Sequence, residues 1–187
     1  DFRRKWMEPE QLGHKSLAVS LSDIAAMGAE PKYSMLSIAV PDDLWKSDFL
    51  DRFYAGWFKL ANLYSVELVG GDLSGTNGEL VVDITVIGEA SPEHVVYRSG
   101  ARPGDSIFVT GRLGGAAAGL RSLEGDAPID GQVSEMIRRQ LEPAPRVTIG
   151  RRLGNEKIAS AMIDISDGLS ADLGHLCRAS GVGADLQ

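Results

Sequence analysis

A single cysteine among 187 residues, Cys177, excludes an internal disulfide and any thiolate metal cluster. It falls in a helical pattern with apolar neighbours, so a packed thiol is the expected role, in a chain suited to a reducing, cytoplasmic setting. The three histidines, His14, His94 and His175, lie far apart without paired spacing, which gives zinc no support. Positive charge is scarce too: 19 Lys and Arg stand against 26 Asp and Glu, a net charge of −7. Non-specific nucleic-acid binding needs the opposite balance. No apolar run approaches the ~20 residues that cross a bilayer. No signal-peptide pattern is present, in a chain that opens on Asp1 rather than Met. Neither nucleic acid nor membrane is an expected partner.

Familiar nucleotide motifs are missing as well. Gly13–His14–Lys15–Ser16 faintly resembles the end of a phosphate-binding loop, but the glycine five positions before the Gly–Lys pair is absent and His14 intervenes. Gly111 to Gly115 lacks dinucleotide-binding spacing, and eukaryotic kinase signatures are absent. No Ser–His–Asp arrangement can be read. An acidic chain can still hold a nucleotide if divalent cations supply the positive charge.

What is present is a chain of mixed α and β elements, long enough to bury a core without staples. Lys15 to Ala29 reads as a helix, with Leu17, Leu21, Ile24 and Met27 at three- and four-residue steps and Gly28 and Pro31 as stops. A strand is expected over Tyr33 to Val40, then a helix from about Ser47, a plausible cap, to Tyr64. Val66 to Val69 is a short apolar run entering a Gly70–Gly71–Asp72 turn, and Leu80 to Gly88 is a β-branched strand. Turn formers and basic residues over Tyr97 to Gly104 place a domain boundary there, giving domains 1–98 and 99–187. Beyond it, strands are expected at Ser106 to Val109 and, buried, at Ala161 to Ile165. Helices are expected at Ala116 to Leu123, Val133 to Leu141, Arg146 to Leu153 and from Gly168 to about Ala179, with a loop over Gly125 to Gly131.

The informative feature is a set of aspartates beside glycine or serine at element ends. Asp72 follows two glycines that would let a large ligand approach the backbone. Asp164 closes the Met162–Ile165 segment, and Asp167 follows Ser166 at a helix start. Carboxylates so placed suit Mg²⁺, which takes one or two of them plus phosphate oxygens. Each also has a plain reading, since Asp at a helix start is often an N-cap and Gly–Gly–Asp is often a turn. Asp23 sits inside an Ala-rich helix. It is either a buried carboxylate needing a cation or a member of the polar face.

Four segments then fall in a familiar order: Leu17–Pro31 (LAVSLSDIAAMGAEP), Leu68–Asp72 (LVGGD), Arg98–Gly104 (RSGARPG) and Met162–Leu173 (MIDISDGLSADL). The chain resembles the thiamine-monophosphate kinase family. It shares the first helix with the wider group of aminoimidazole ribonucleotide synthetase, selenophosphate synthetase and a hydrogenase-maturation protein. The resemblance implies an N-terminal α+β domain that pairs with a second copy into a β-barrel, followed by a C-terminal α/β domain. It implies transfer of the ATP γ-phosphoryl group to thiamine monophosphate, with several Mg²⁺ ions and no certain catalytic side chain. By position, Asp23, Asp72, Asp164 and Asp167 match metal ligands, while Gly71, Asp72, Arg98 and Ser166 match nucleotide contacts. Tyr54 is a softer match, with a plain packing role favoured.

The departures are specific. The family's N-terminal Asp-rich segment and Thr–Thr–Asp turn have no counterpart, Asp1 stands where a substrate-contacting histidine is usual, and no arginine follows Asp72 within three residues. The family's far C-terminal acidic and aromatic substrate contacts do not occur before Gln187. The expectation is a chain incomplete at its start and truncated at its end, inactive and poorly folded alone. The alternatives are another ATP-using member of the wider group, or a Mg–ATP-binding protein that does not catalyse.

Overall fold

The computed structural model describes residues 2–125 and 130–186, so Asp1 and part of the expected 125–131 loop lie outside the described residues. The chain divides into two compact units. One comprises Asp1–Ser20, Pro31–Ile87 and Gly115–Ala144, the other Leu21–Glu30, Gly88–Gly114 and Pro145–Gln187.

In the first unit a three-stranded sheet has the order β2-β1-β3, with β1 Glu30–Pro41, β2 Glu67–Thr76 and β3 Val81–Glu89. The central strand alternates: Ser34, Leu36, Ile38 and Val40 are buried, while Tyr33, Met35 and Ser37 are exposed. Such period-2 burial covers one face and leaves the other open. Helices α1 (Pro9–Ala26) and α3 (Phe49–Tyr64) contribute the apolar side chains of this core, with the short α2 (Asp42–Trp45) between β1 and α3. On α3, Phe49, Phe53, Trp57, Leu60 and Ala61 recur at helical spacing and are buried. Phe53 and Trp57 have no exposed surface, and Phe53 contributes roughly 1.5–3 kcal/mol by burial. Ser65 ends the helix in a left-handed conformation (φ 55°), and Val66 N–H donates to the Ala61 carbonyl at 2.9 Å. The expected cap at Ser47 exists in altered form. Asp48 occupies the N-cap position without a side-chain bond, while Ser47 Oγ accepts from Phe49 N–H at 3.1 Å.

The two helices cross with backbone against backbone. A side chain on Gly13 would strike the Phe53 carbonyl, and one on Gly56 would strike that of Glu10. Arg52 reinforces the crossing, donating to Glu8 at 2.6 Å and Glu10 at 2.7 Å. Helix α1 therefore begins well before Lys15, at Pro9, whose missing N–H is harmless in a first turn.

Helices α4 (Gly115–Glu124) and α5 (Gly131–Leu141) pack together, with Gly119 against the Met136 carbonyl. Asp130 caps α5 by accepting from Val133 N–H at 2.8 Å. At the other end of α5, Lys15 Nζ donates to the Gln140 carbonyl at 2.8 Å and His14 Nε2 to that of Pro143 at 2.9 Å. Lys15 thus satisfies a carbonyl in the last turn of α5 and His14 one just beyond it, and burial pushes the Lys15 ammonium pKa down. Glu135 on α5 accepts from Arg138 at 2.8 Å and Arg139 at 3.1 Å, and these two partners, Arg138 first, bring its pKa down to about 2. A depressed carboxylate stabilises the fold above its unfolded value and loses that contribution as pH falls through its folded one. Thermal melts of the parent and Glu135→Gln should therefore differ at neutral pH and converge as pH falls from 4.5 to about 2. A constant difference over that range would contradict the pairing.

In the second unit α6 (Val147–Asn155) lies close to the end of α1, with Gly150 against the Ala25 carbonyl, and α7 (Leu169–Ser180) closes the described chain. Three expectations need correction here and in the sheet. Gly70–Gly71–Asp72 is not a turn but the interior of β2, parallel to β1. Ser106 to Val109 and Ala161 to Ile165 are not strands, and the latter is not buried. Both are rich in apolar residues, with Phe108 88% exposed, yet a strand exists only where a second backbone completes its ladder. Met162 N–H reaches the Tyr97 carbonyl at 3.1 Å without extending into a ladder. Among the described residues, no helix is long and apolar enough to cross a membrane.

Candidate functional site

The second unit assembles charge at one place. Asp23 projects from the exposed side of α1, which removes any need to explain a buried carboxylate there. Asp164 lies in the extended segment before α7 and is half-buried. Its pKa is pushed up by burial first and next by the negative charge of Asp23, then Asp172, against the opposing effects of a backbone hydrogen bond and, smaller, of Arg98. Asp23, Arg98, Asp164 and Asp172 are therefore within electrostatic reach of one another's influence on a single carboxyl.

Asp167 precedes Gly168, the N-cap of α7, whose φ of 109° belongs to the region glycine alone adopts readily. Neither Asp167 nor Gly168 makes a side-chain cap. Instead Asp172, 3% exposed, accepts N–H groups from Ser166, Asp167 and Gly168 at 3.1, 3.1 and 3.0 Å. The Asp167 carboxylate is thereby left exposed and free of the capping role. The Arg98–Gly104 loop is fastened too. Ser180 Oγ donates to the Arg98 carbonyl at 3.1 Å, and Asp105 accepts from Arg102 N–H at 2.9 Å and Ser160 Oγ at 2.6 Å. Arg98 itself is exposed. Asp172 escaped the site reading of the sequence. Its signal was an acidic residue four positions into a helix that follows a Ser–Asp–Gly turn.

The first unit holds Gly71, Asp72 and Tyr54. Gly71 has φ 139° and lies so close to β1 that a side chain would strike the Leu36 carbonyl. The register slips by one residue between Ser34 and Met35, which pair with Leu68 and Gly70. That irregularity places Asp72 opposite Ser37 on the open face, exposed and accepting from Ser74 Oγ. Tyr54 packs edge-on to Phe53 and stacks with Phe58, with burial raising its hydroxyl pKa. Among the described residues no three His, Cys, Asp or Glu side chains gather as a metal cage.

Comparison with known proteins bears on these residues. Residues 1–90 match the family of AIR synthase related proteins, N-terminal domain. The chain is 42% identical over 188 residues to "Thiamine-monophosphate kinase" of Bacillus subtilis, covering 99% of this chain and 57% of that protein. It is related to thiamine-monophosphate kinase over nearly its whole length. The relationship extends to structure. The solved structure "AaThiL complexed with AMPPCP and TMP" superposes with a TM-score of 0.85 at 38% identity, over 93% of this chain and 55% of that one. The hydrogenase-maturation protein HypE, at 21% identity and a TM-score of 0.75, over 90% of this chain and 52% of its own, shares the fold. The mixed α+β reading holds, as an aminoimidazole-ribonucleotide-synthetase-like fold with a three-stranded open sheet. The chain spans a little over half the length of the thiamine-monophosphate kinases it matches.

Proposed function

We propose that the protein phosphorylates thiamine monophosphate to thiamine diphosphate with ATP, by direct transfer of the γ-phosphoryl group. The observation that carries this is the 42% identity to a thiamine-monophosphate kinase across 99% of the chain. A neighbouring structure holding AMPPCP and TMP supports the same two reactants. Both are polyanions, so the protein's task is positioning and charge neutralisation.

Magnesium fits the donor set. The negative charge of Asp23 lies near enough to Asp164 to disfavour that carboxyl's ionisation, a repulsion that a divalent cation would relieve. Mg²⁺ needs only one or two carboxylates when phosphate oxygens supply the rest, so the lack of a three-ligand cage is no obstacle. Asp23, Asp72, Asp164 and Asp167 are the residues proposed to hold such ions, which when bound neutralise phosphate charge. Arg98 offers its planar fork to the nucleotide phosphates. Gly71 and Ser166 contact the nucleotide, Tyr54 is a peripheral contact, and Asp1 is the substrate residue of the same reading, by its sequence position alone. The division at residues 98 and 99, a cytoplasmic location and a homodimeric β-barrel belong to the same reading. The exposed Tyr33, Met35, Val81 and Ile87 of the sheet suit a second copy.

Acceptor competition tests the assignment. With full-length protein and Mg–ATP, thiamine monophosphate should be phosphorylated while selenide and formylglycinamidine ribonucleotide are not consumed. Turnover of either of those instead would transfer the protein to another branch of the fold.

A further inference from the structure

Two loops of the second unit are fastened to the two ends of α7. At its first turn, Asp172 Oδ2 takes three successive N–H groups, from Ser166, Asp167 and Gly168. At its last residue, Ser180 Oγ accepts from Gly100 and Ala101 N–H, both at 3.2 Å, and donates to the Arg98 carbonyl. Eight residue steps of helix separate Asp172 from Ser180, about 12 Å at 1.5 Å per residue. An ordinary N-cap lies outside the helix and satisfies amides within it. Here the acceptor lies inside the helix and the donors lie at and before its N-cap, so the loop is the part being fixed.

We propose that α7 is a brace, with Asp172 and Ser180 as positioning residues that hold the Ser166–Gly168 and Arg98–Ala101 loops in the arrangement that receives the nucleotide phosphates. This rests on the Mg–ATP reading above. Its chemical consequence is specific. The amides of Ser166, Asp167 and Gly168, in the loop that leads into α7, are already committed to Asp172 and are not free to cradle a phosphate. Recognition there falls to the outward-facing Asp167 and Arg98 side chains, whose backbones the brace holds. Asp172 suits the task because hydrogen bonds to an ionised acceptor are about twice as strong as neutral ones. Gly168 supplies the φ of 109° from which the chain enters α7.

The test uses the full-length protein as parent and as Asp172→Asn, Ser180→Ala and Ser180→Thr, with hydrogen exchange and Mg–ATP titration as readouts. Asp172→Asn keeps the side chain's shape and removes its charge. Exchange should accelerate at residues 166–168, and the Mg–ATP Kd should rise about tenfold or more, as when partners behind metal ligands are removed. Ser180→Ala should free Gly100 and Ala101 and also raise that Kd, while Ser180→Thr, which keeps the hydroxyl, restores both. Parent-like Mg–ATP affinity in both Asp172→Asn and Ser180→Ala overturns the proposal. Should Asp172→Asn not fold, the Ser180 pair decides alone. A parent that binds no Mg–ATP sinks the kinase reading. The fastening is then judged by exchange: unchanged protection at 98–101 in Ser180→Ala overturns it, and loss with threonine rescue upholds it.

Discussion

Asparagine at position 164 of the full-length protein should lower phosphoryl transfer by at least about a hundredfold. The change keeps the volume of the side chain and removes its capacity for negative charge. Each tenfold in rate corresponds to ~1.4 kcal/mol, and metal stabilisation of a transferring phosphoryl group is worth several kcal/mol. Asp164 is the carboxyl on which burial, Asp23, Asp172 and Arg98 all act. Removing its charge also lifts the repulsion with Asp23, so the folded protein should be no less stable. That separates a chemical defect from a folding one: turnover falls while the melting temperature holds or rises. Asp51→Asn, on the exposed side of α3, is the matched control and should stay within about twofold of the parent, as surface changes away from such features usually do. Equal activity of Asp164→Asn and the parent would remove Asp164 from the site.

Gly56→Ala should be the most damaging single methyl group in the first unit. At the crossing of α1 and α3 the added carbon would land on the Glu10 carbonyl, and both contacting partners are backbone. A flexible side chain could swing away, but two helices cannot part without opening the core around Phe53 and Trp57. Overpacking costs about 1–3 kcal/mol where neighbours yield and more where they do not, so a loss of ~3 kcal/mol or greater is expected. Gly75→Ala provides the contrast, because nothing lies within 4 Å of an added carbon there. It should change stability by no more than about 0.5 kcal/mol. Urea unfolding of the three proteins reads both values. A Gly56→Ala midpoint equal to the parent's would show that the helices do not meet as described.

Elements whose evidence is local were legible from the sequence, and elements that depend on distant chain were not. Helix α3 carries its own stripe of Phe49, Phe53, Trp57 and Leu60, and β1 carries its own alternation, so both were read nearly to their ends. Lys15 to Ala29 marked a helix but missed its first turns, because Pro9 reads as a breaker unless it stands at a helix start. Gly70–Gly71 looked like a turn for the same kind of reason. The glycines serve instead the close approach of β2 to Leu36, a contact no local pattern reveals. Ser106 to Val109 and Ala161 to Ile165 have the composition of strands without a ladder to join. For the site, the Ser–Asp–Gly stretch singled out Asp167, the end of an apolar segment Asp164 and an acid inside an Ala-rich helix Asp23, whereas Asp172 and Ser180 were invisible as partners. Their contacts are with the backbone of other segments, and Ser180 lies some 80 residues from those it fastens.

The central claim is that this protein moves a phosphoryl group from ATP to the phosphate of thiamine monophosphate. The most direct measurement is thiamine diphosphate formation by the full-length protein with Mg–ATP, run beside its Asp167→Asn variant. Product from the parent and a collapse in the variant are the expected results. Mg–ATP binding by the parent with no thiamine diphosphate formed would contradict the claim.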